Sequence, residues 1–258
     1  MPDPYLEAMM LGLVKFKEVK KDKFEEAIEN DIIAYVDSLT FEEESGPQLL
    51  SLKMKKAKLV EELKESIKMP ELENFFDTAF MFINSDGLRY LDSSKYETLS
   101  SEFSHASEIL DQLDPTKEIP IKLQGMLEIS DEMMNAIYEI AKGAYKEEKN
   151  QESLSLFVYL SVLDQTNLEY WYRVGIGAQK CGNIDLALKA YSVCIEIDSE
   201  LVGARLFSAE CHLINGDLES AEKEMTKAKN IIENSEVDSI WVDLLAAMEN
   251  ANDKKLKI

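Results

Sequence analysis

Residues 134–167 read MNAIYEIAKGAYKEEKNQESLSLFVYLSVLDQTN, residues 168–201 read LEYWYRVGIGAQKCGNIDLALKAYSVCIEIDSEL, and residues 202–235 read VGARLFSAECHLINGDLESAEKEMTKAKNIIENS. The three blocks abut without gaps and are each 34 residues long. They agree where a pair of crossing helices must agree. The eighth position is Ala141, Gly175 and Ala209, and the twentieth is Ser153, Ala187 and Ala221. A larger side chain at either place would push the two helices of a block apart. The twenty-fourth position is Phe157, Tyr191 and Met225, a large apolar plug between neighbouring blocks. Turn signals fall between the helices at Gly182-Asn183 and Gly216-Asp217.

A 34-residue period with this pattern is the signature of the tetratricopeptide repeat, and the second copy adds Trp171 at the fourth position. The pattern departs from the consensus twice. The proline that often closes such repeats is replaced by Gln165, Ser199 and Glu233. Glu148 stands where the other repeats have the turn glycine, which predicts a looser first turn near Lys149-Asn150.

Working outward, Ser130 reads as the N-cap of the first repeat helix, with Asp131 and Glu132 placed to suit the helix dipole. Beyond the third repeat, Ser235 and Asp238 read as a capping-box-like pair. The capping helix over 236–250 puts Val237, Ile240, Trp241, Leu244, Leu245 and Met248 on one face, and a solenoid needs such a lid. Upstream, Pro115, Pro120 and Gly125 mark 114–128 as a linker. Residues 1–113 read as a helical N-terminal domain of unassigned role. Apolar residues recur at helical spacing over 1–39, 48–68, an aromatic-rich 71–83, and 95–113, with a loop at Glu42–Pro47. No stretch alternates with period two. The fold class is therefore all-α: three tetratricopeptide repeats plus a capping helix within 129–250, a right-handed helical solenoid, preceded by the helical N-terminal domain.

Composition narrows the function. Asp and Glu number 50 against 28 Lys and Arg, a net charge of −22, which argues against nucleic acid or an anionic membrane as partner. No apolar run approaches the roughly 20 residues that span a bilayer. Asp3, Glu7 and the lack of a basic leader read as no signal peptide. Cys181, Cys194 and Cys211 are odd in number and lack CxxC spacing, so neither a disulfide framework nor a zinc site is expected, and a reducing, cytoplasmic compartment is. The two histidines, His105 and His212, form no triad or metal pair, and no phosphate-cradling loop is present. Gly175 and Gly177 sit mid-helix with no strand before them, which assigns them to close helix packing. No cofactor, no metal and no catalytic residue is expected, and the protein reads as a non-enzyme.

What remains is the concave face. In such a solenoid, side chains at the second, fifth, ninth, twelfth and thirteenth positions of each repeat point into it. These include Tyr138, Lys142, Tyr145 and Lys146 in the first repeat, and Glu169, Tyr172, Ile176, Gln179 and Lys180 in the second. In the third they are Gly203, Leu206, Glu210, Leu213 and Ile214. The candidate peptide-binding groove is therefore Tyr138, Lys142, Tyr145, Tyr172, Ile176, Gln179, Leu206, Glu210 and Leu213. Tyrosine gives large contact area with few rotors to freeze, which suits an extended peptide.

The stretches Ile129–Met134, Val162–Asp164, Asp185–Ala187, Tyr191-Ser192, Ala209–Leu213, Gly216–Leu218 and Ala221-Glu222 resemble the tetratricopeptide chaperones of type III secretion translocators, of LcrH/SycD type. The resemblance covers roughly 129–250. It implies a non-catalytic bacterial cytoplasmic chaperone that holds a short extended segment of a hydrophobic translocator or effector. The client motif it implies is proline, any, leucine, any, any, proline. Tyr138 and Tyr145 match the aromatic groove positions, whereas Asn150 stands where the family often has a further aromatic. The short front arm of the family serves dimerisation, so a homodimer is compatible with the resemblance. Pro70–Phe75 matches the client motif except at its last residue, which raises a self-docking plug beside the simpler reading of a helix start. The alternative function is a scaffold or regulator that assembles folded partners through its N-terminal half.

Overall fold

The computed structural model describes residues 23–39, 52–67, 70–114, 117 and 122–255. The sequence expectations for 1–22, for the Glu42–Pro47 loop and for Pro115 and Pro120 lie outside them. Helices account for the ordered elements, and no strand occurs among the described residues.

Contacts divide the chain into two units, one of 1–69 with 114–118 and one of 70–113 with 119–258. In the first, α1 (Lys23–Ser38) packs on α2 (Leu52–Ile67), burying Ile32 and Val36. Lys56 reaches Asp37 at 2.9 Å and Lys64 reaches Glu29 at 2.6 Å.

The second unit opens with α3 (Pro70–Asp86), a one-turn 3-10 segment (Gly87–Arg89) and α4 (Ser93–Gln112). Pro70 begins α3, where its missing N–H costs nothing. A short α5 (Leu123–Met126) leads into the repeats: α6 (Asp131–Lys146) with α7 (Asn150–Leu163), α8 (Leu168–Lys180) with α9 (Ile184–Ile197), and α10 (Val202–Ile214) with α11 (Leu218–Asn234). The final helix, α12, spans Ser239–Lys255. Each repeat's two helices pack on each other, and α7 and α9 pack on the first helix of the next repeat.

The α3–α4 pair belongs to the repeat unit, whereas the sequence pattern draws one front domain over 1–113. The reason is burial. α3 lies along α7, and Phe75, Ala79, Phe82 and Ile83 join a core continuous with Ile137, Ile140, Phe157 and Tyr191. Phe76 and Phe80 meet the Tyr159 ring edge-on at 5.5 and 5.1 Å. The Tyr90 ring lies against Gly143, where an added Cβ would stand 2.6 Å from ring Cε1. Ionic contacts join the same corner: Tyr90 donates to Glu147 at 2.9 Å, and Lys149 reaches Asp86 at 3.3 Å. Arg89 beside Asp86, with help from Ser85 and Lys149, lowers that carboxyl to about 2. The described end of the expected linker is likewise packed, since Leu127 is buried.

Ser130 caps α6 as expected, accepting from the Met133 N–H at 3.0 Å. At the far end Asp238 alone caps α12, accepting from the Ile240 N–H at 3.0 Å, while Ser235 closes α11. Ile240 points away from the lid's buried face at 61% exposure.

The first turn is not looser than the others. Glu148 adopts φ 60°, close to the 77° of Gly182 and Gly216. The same backbone bond closes all three turns: Lys149 N–H to Ala144 O at 3.0 Å, Asn183 to Ala178 at 2.9 Å, Asp217 to His212 at 2.9 Å. A side chain in the left-handed region costs about 1–2 kcal/mol, part of which glycine gives back as unfolded-chain entropy. Glu148→Gly is therefore expected to stabilise the protein by about 0.5–1 kcal/mol, raising Tm by roughly 1–4 °C in a thermal melt. Glu148→Ala, which keeps the Cβ, is expected to give no such gain.

Candidate functional site

The first helices of the repeats, α6, α8 and α10, carry the predicted groove residues. Tyr138 is half-buried, its ring edge against Phe157 (5.8 Å) and tilted against Tyr170 (6.1 Å). Its hydroxyl donates to Glu169 Oε1 at 2.7 Å, and Arg173 Nε holds the same oxygen at 2.8 Å. Burial, with Glu169, raises the Tyr138 phenol above its ordinary pKa. Lys142 Nζ lies 5.2 Å from the Tyr138 ring centre, and Lys180 Nζ lies 4.2 Å from that of Tyr145. Both are cation–π distances.

Between the second and third repeats, Gln179 is fixed from both ends. Its Oε1 accepts from the Tyr191 hydroxyl at 3.0 Å, and its Nε2 donates to Glu210 at 2.7 Å. Tyr172 stacks on Phe207 at 6.0 Å and meets Tyr191 edge-on at 6.3 Å. Burial pushes its phenol up to about 12. Ile176 and Leu213 are half-buried, and Glu210 is exposed. Eight of the nine predicted residues thus keep at least a partly open surface.

Leu206 does not. It is 0% exposed and packs with Val202, Ala209, Met225, Leu245 and Met248. The physical reason is the final helix. Trp241 packs edge-on against Phe207 at 5.8 Å, and its ring would stand 2.8 Å from a Cβ added at Gly203. Positions two and five of the third repeat are therefore covered, and the open face belongs to the first two repeats, with Glu210, Leu213 and Ile214 at its edge. Phe207 and Trp241 are the residues the periodic reading missed. The signal for Trp241 was its place on the lid; nothing in the repeat register singles out Phe207.

Among the described residues no group of three or more His, Cys, Asp or Glu could hold a metal ion. Burial pushes the Cys194 thiol up to about 12 and that of Cys211 to about 11, so both are packed thiols rather than nucleophiles. His105 contacts Glu128 at 3.0 Å on the surface. No described helix is long and apolar enough to cross a membrane.

Comparison with known proteins finds similarity over part of the chain. Low calcium response locus protein H from Yersinia pestis is 30% identical over 105 residues, 41% of this chain. Its counterpart from Yersinia pseudotuberculosis matches equally. Over that span the chain is similar to these two proteins. The match spans 62% of the length of these curated relatives. No protein-family model matches the chain. A solved type III secretion complex from Aeromonas hydrophila shares the fold, with a TM-score of 0.50 at 23% identity, over 53% of this chain and 91% of that one. The Yersinia enterocolitica chaperone SycD, solved with a peptide of the translocator YopD, is 27% identical, with a TM-score of 0.47 over 50% of this chain and 98% of that one.

Proposed function

We propose that the protein is a non-catalytic secretion chaperone of the bacterial cytoplasm, holding an extended segment of a hydrophobic translocator or effector against the concave face of its first two repeats. The observation that carries this is the state of Tyr138, Tyr145, Tyr172 and Ile176: all four are partly open, and the three tyrosines are held in place by contacts between repeats. Such a surface loses little side-chain freedom when a peptide settles on it. Similarity to the LcrH-type chaperones supports the same reading.

Tyr145 is the cleanest probe, because it is half-exposed and its ring lies under Lys180. Tyr145→Ala is expected to weaken binding of a Pro-x-Leu-x-x-Pro peptide at least about tenfold, the size of an aromatic anchor. Tyr138→Ala is expected to do the same at some cost in stability, given its packing on Phe157. Unchanged affinity for both variants, measured by fluorescence anisotropy, would overturn the groove assignment.

A second reading, a scaffold for folded partners, draws on a cleft of about 610 Å³ between α3, α4 and α7, lined by Phe80, Tyr96, Leu99, Phe103 and Tyr159. Under that reading Phe103→Ala removes a partner while peptide binding at the groove is unaffected.

A further inference from the structure

The groove is a cationic island on an acidic protein. Lys142, Lys146 and Lys180 occupy concave positions nine and thirteen of the first two repeats, all exposed. None of the three has a carboxylate within salt-bridge distance among the described residues, whereas Lys95, Lys122, Lys149, Lys223, Lys227 and Lys229 of the same unit are all paired; Lys189, on the second helix of the second repeat and so away from the concave positions, is unpaired as well. In a chain with 50 acidic residues, three adjacent unpaired ammonium groups on one face are conspicuous.

Three carboxylates carried by the first helices of the repeats are engaged elsewhere. Glu169 holds Arg173 and the Tyr138 hydroxyl, Glu139 holds Lys95, and Glu210 holds the Gln179 amide. Lys142 and Lys180 rest over the very tyrosine rings that floor the groove. A segment lying on those rings would therefore pass directly beside ammonium groups with donors to spare. The third repeat offers no equivalent: its open edge is Glu210, Leu213 and Ile214, the last 58% exposed.

We infer that the groove selects a segment that is acidic as well as apolar, its Asp or Glu side chains lying against Lys142, Lys146 and Lys180 and its aliphatic side chains toward Leu213 and Ile214. This rests on the groove reading above and adds the client's charge and its polarity along the face. The net charge of −22 does not oppose it at contact range, because salt screens distant charge beyond about 8 Å while adjacent groups still interact.

The test uses the full chain and three synthetic peptides that share a Pro-x-Leu-x-x-Pro core and carry Glu-Glu, Ser-Ser or Lys-Lys flanks. The Glu-flanked peptide is expected to bind about five- to tenfold more tightly than the Ser-flanked one at low salt, with the advantage shrinking at high salt. The triple variant Lys142→Ser, Lys146→Ser, Lys180→Ser is expected to abolish that advantage while still binding the Ser-flanked peptide. Equal affinity for the three peptides, preference for the Lys-flanked one, or an acidic preference that survives in the triple variant would overturn the inference and leave the groove reading standing. Binding of none of them overturns both. The salt dependence of the unmodified protein decides the matter should the triple variant not fold.

Discussion

Leu206→Glu is expected to unfold the third repeat and the final helix together. The side chain is fully buried and clusters with Val202, Ala209, Met225, Leu245 and Met248, apart from the main core that α3, α4 and the first two repeats share with Ala204 and Cys211 on the other face of α10. A carboxylate there loses the leucine's packing, and the buried cation next to it in sequence, Arg205, already holds Glu224 at 2.8 Å. An uncompensated buried charge costs about 3–5 kcal/mol, and deleting a buried leucine side chain costs a similar amount. Such a loss exceeds what one repeat and a lid are expected to hold in reserve, since repeat proteins are stabilised by nearest-neighbour contacts. Hydrogen exchange should show lost amide protection over 202–248, with residues 131–197 far less affected. Leu206→Met, which keeps volume and polarity, is expected to cost less than about 1.5 kcal/mol. Native protection in the glutamate variant would mean that the final helix leaves this position open to solvent. Because the variant removes Glu210 and Leu213 from their places too, lost peptide binding in it would say nothing about a direct contact. Tyr145→Ala is the variant that separates the groove from the core.

The repeats were legible because crossing helices impose a constraint that side-chain size records directly. Ala141, Gly175 and Ala209 are small, Phe157, Tyr191 and Met225 are large, and the structure buries every one of them. The place of 70–112 was not legible. Asp114-Pro115 and Pro120 are sequence signals for the end of a helix, and such a signal says nothing about where contacts end. What joins α3 to the repeats is the fit of Phe76 and Phe80 on Tyr159, and of Tyr90 on Gly143, which requires three-dimensional adjacency. The groove was legible by register through its first two repeats and failed at the third for a related cause. Period alone treats the fifth position of each repeat alike, and cannot know that Trp241 and its helix cover Gly203 and Leu206. Glu148 illustrates the converse: its residue type predicts a different turn, but backbone bonds common to all three turns impose the same geometry at its expense.

The second large effect is expected where Gly175 meets Tyr191. An added Cβ at Gly175 would stand 2.7 Å from the Tyr191 Cδ1 and 2.8 Å from its Cζ, distances that real Cβ atoms do not sustain. The ring cannot turn aside, being completely buried, edge-on to Tyr172, tilted on Phe207, and bonded through its hydroxyl to Gln179. Gly175→Ala should gain about 1 kcal/mol in helix propensity. Overpacking costs about 1–3 kcal/mol, and the fixed ring puts this site in the upper part of that range, so the net effect is destabilising by about 1–2 kcal/mol. Tyr191→Ala is expected to cost about 3–5 kcal/mol, as for other buried aromatic rings, and leaves the Gln179 carbonyl without its donor. Tyr191→Leu removes the clashing ring edge and opens space that the new methyl at 175 can enter. The pair Gly175→Ala, Tyr191→Leu should therefore be less destabilised than the sum of its members by about 1–3 kcal/mol in urea unfolding, the signature of direct contact. Additive losses would mean that α8 and α9 simply move apart, in which case the small eighth position is not where they cross. The effect should reach the groove through one atom. Tyr191→Phe keeps the ring and loses only its hydroxyl, so Gln179 is freed at its carbonyl end, and a peptide donor can take the place the phenol held. That variant is expected to cost about 1 kcal/mol of stability while retaining peptide affinity, whereas Tyr191→Ala should lose both.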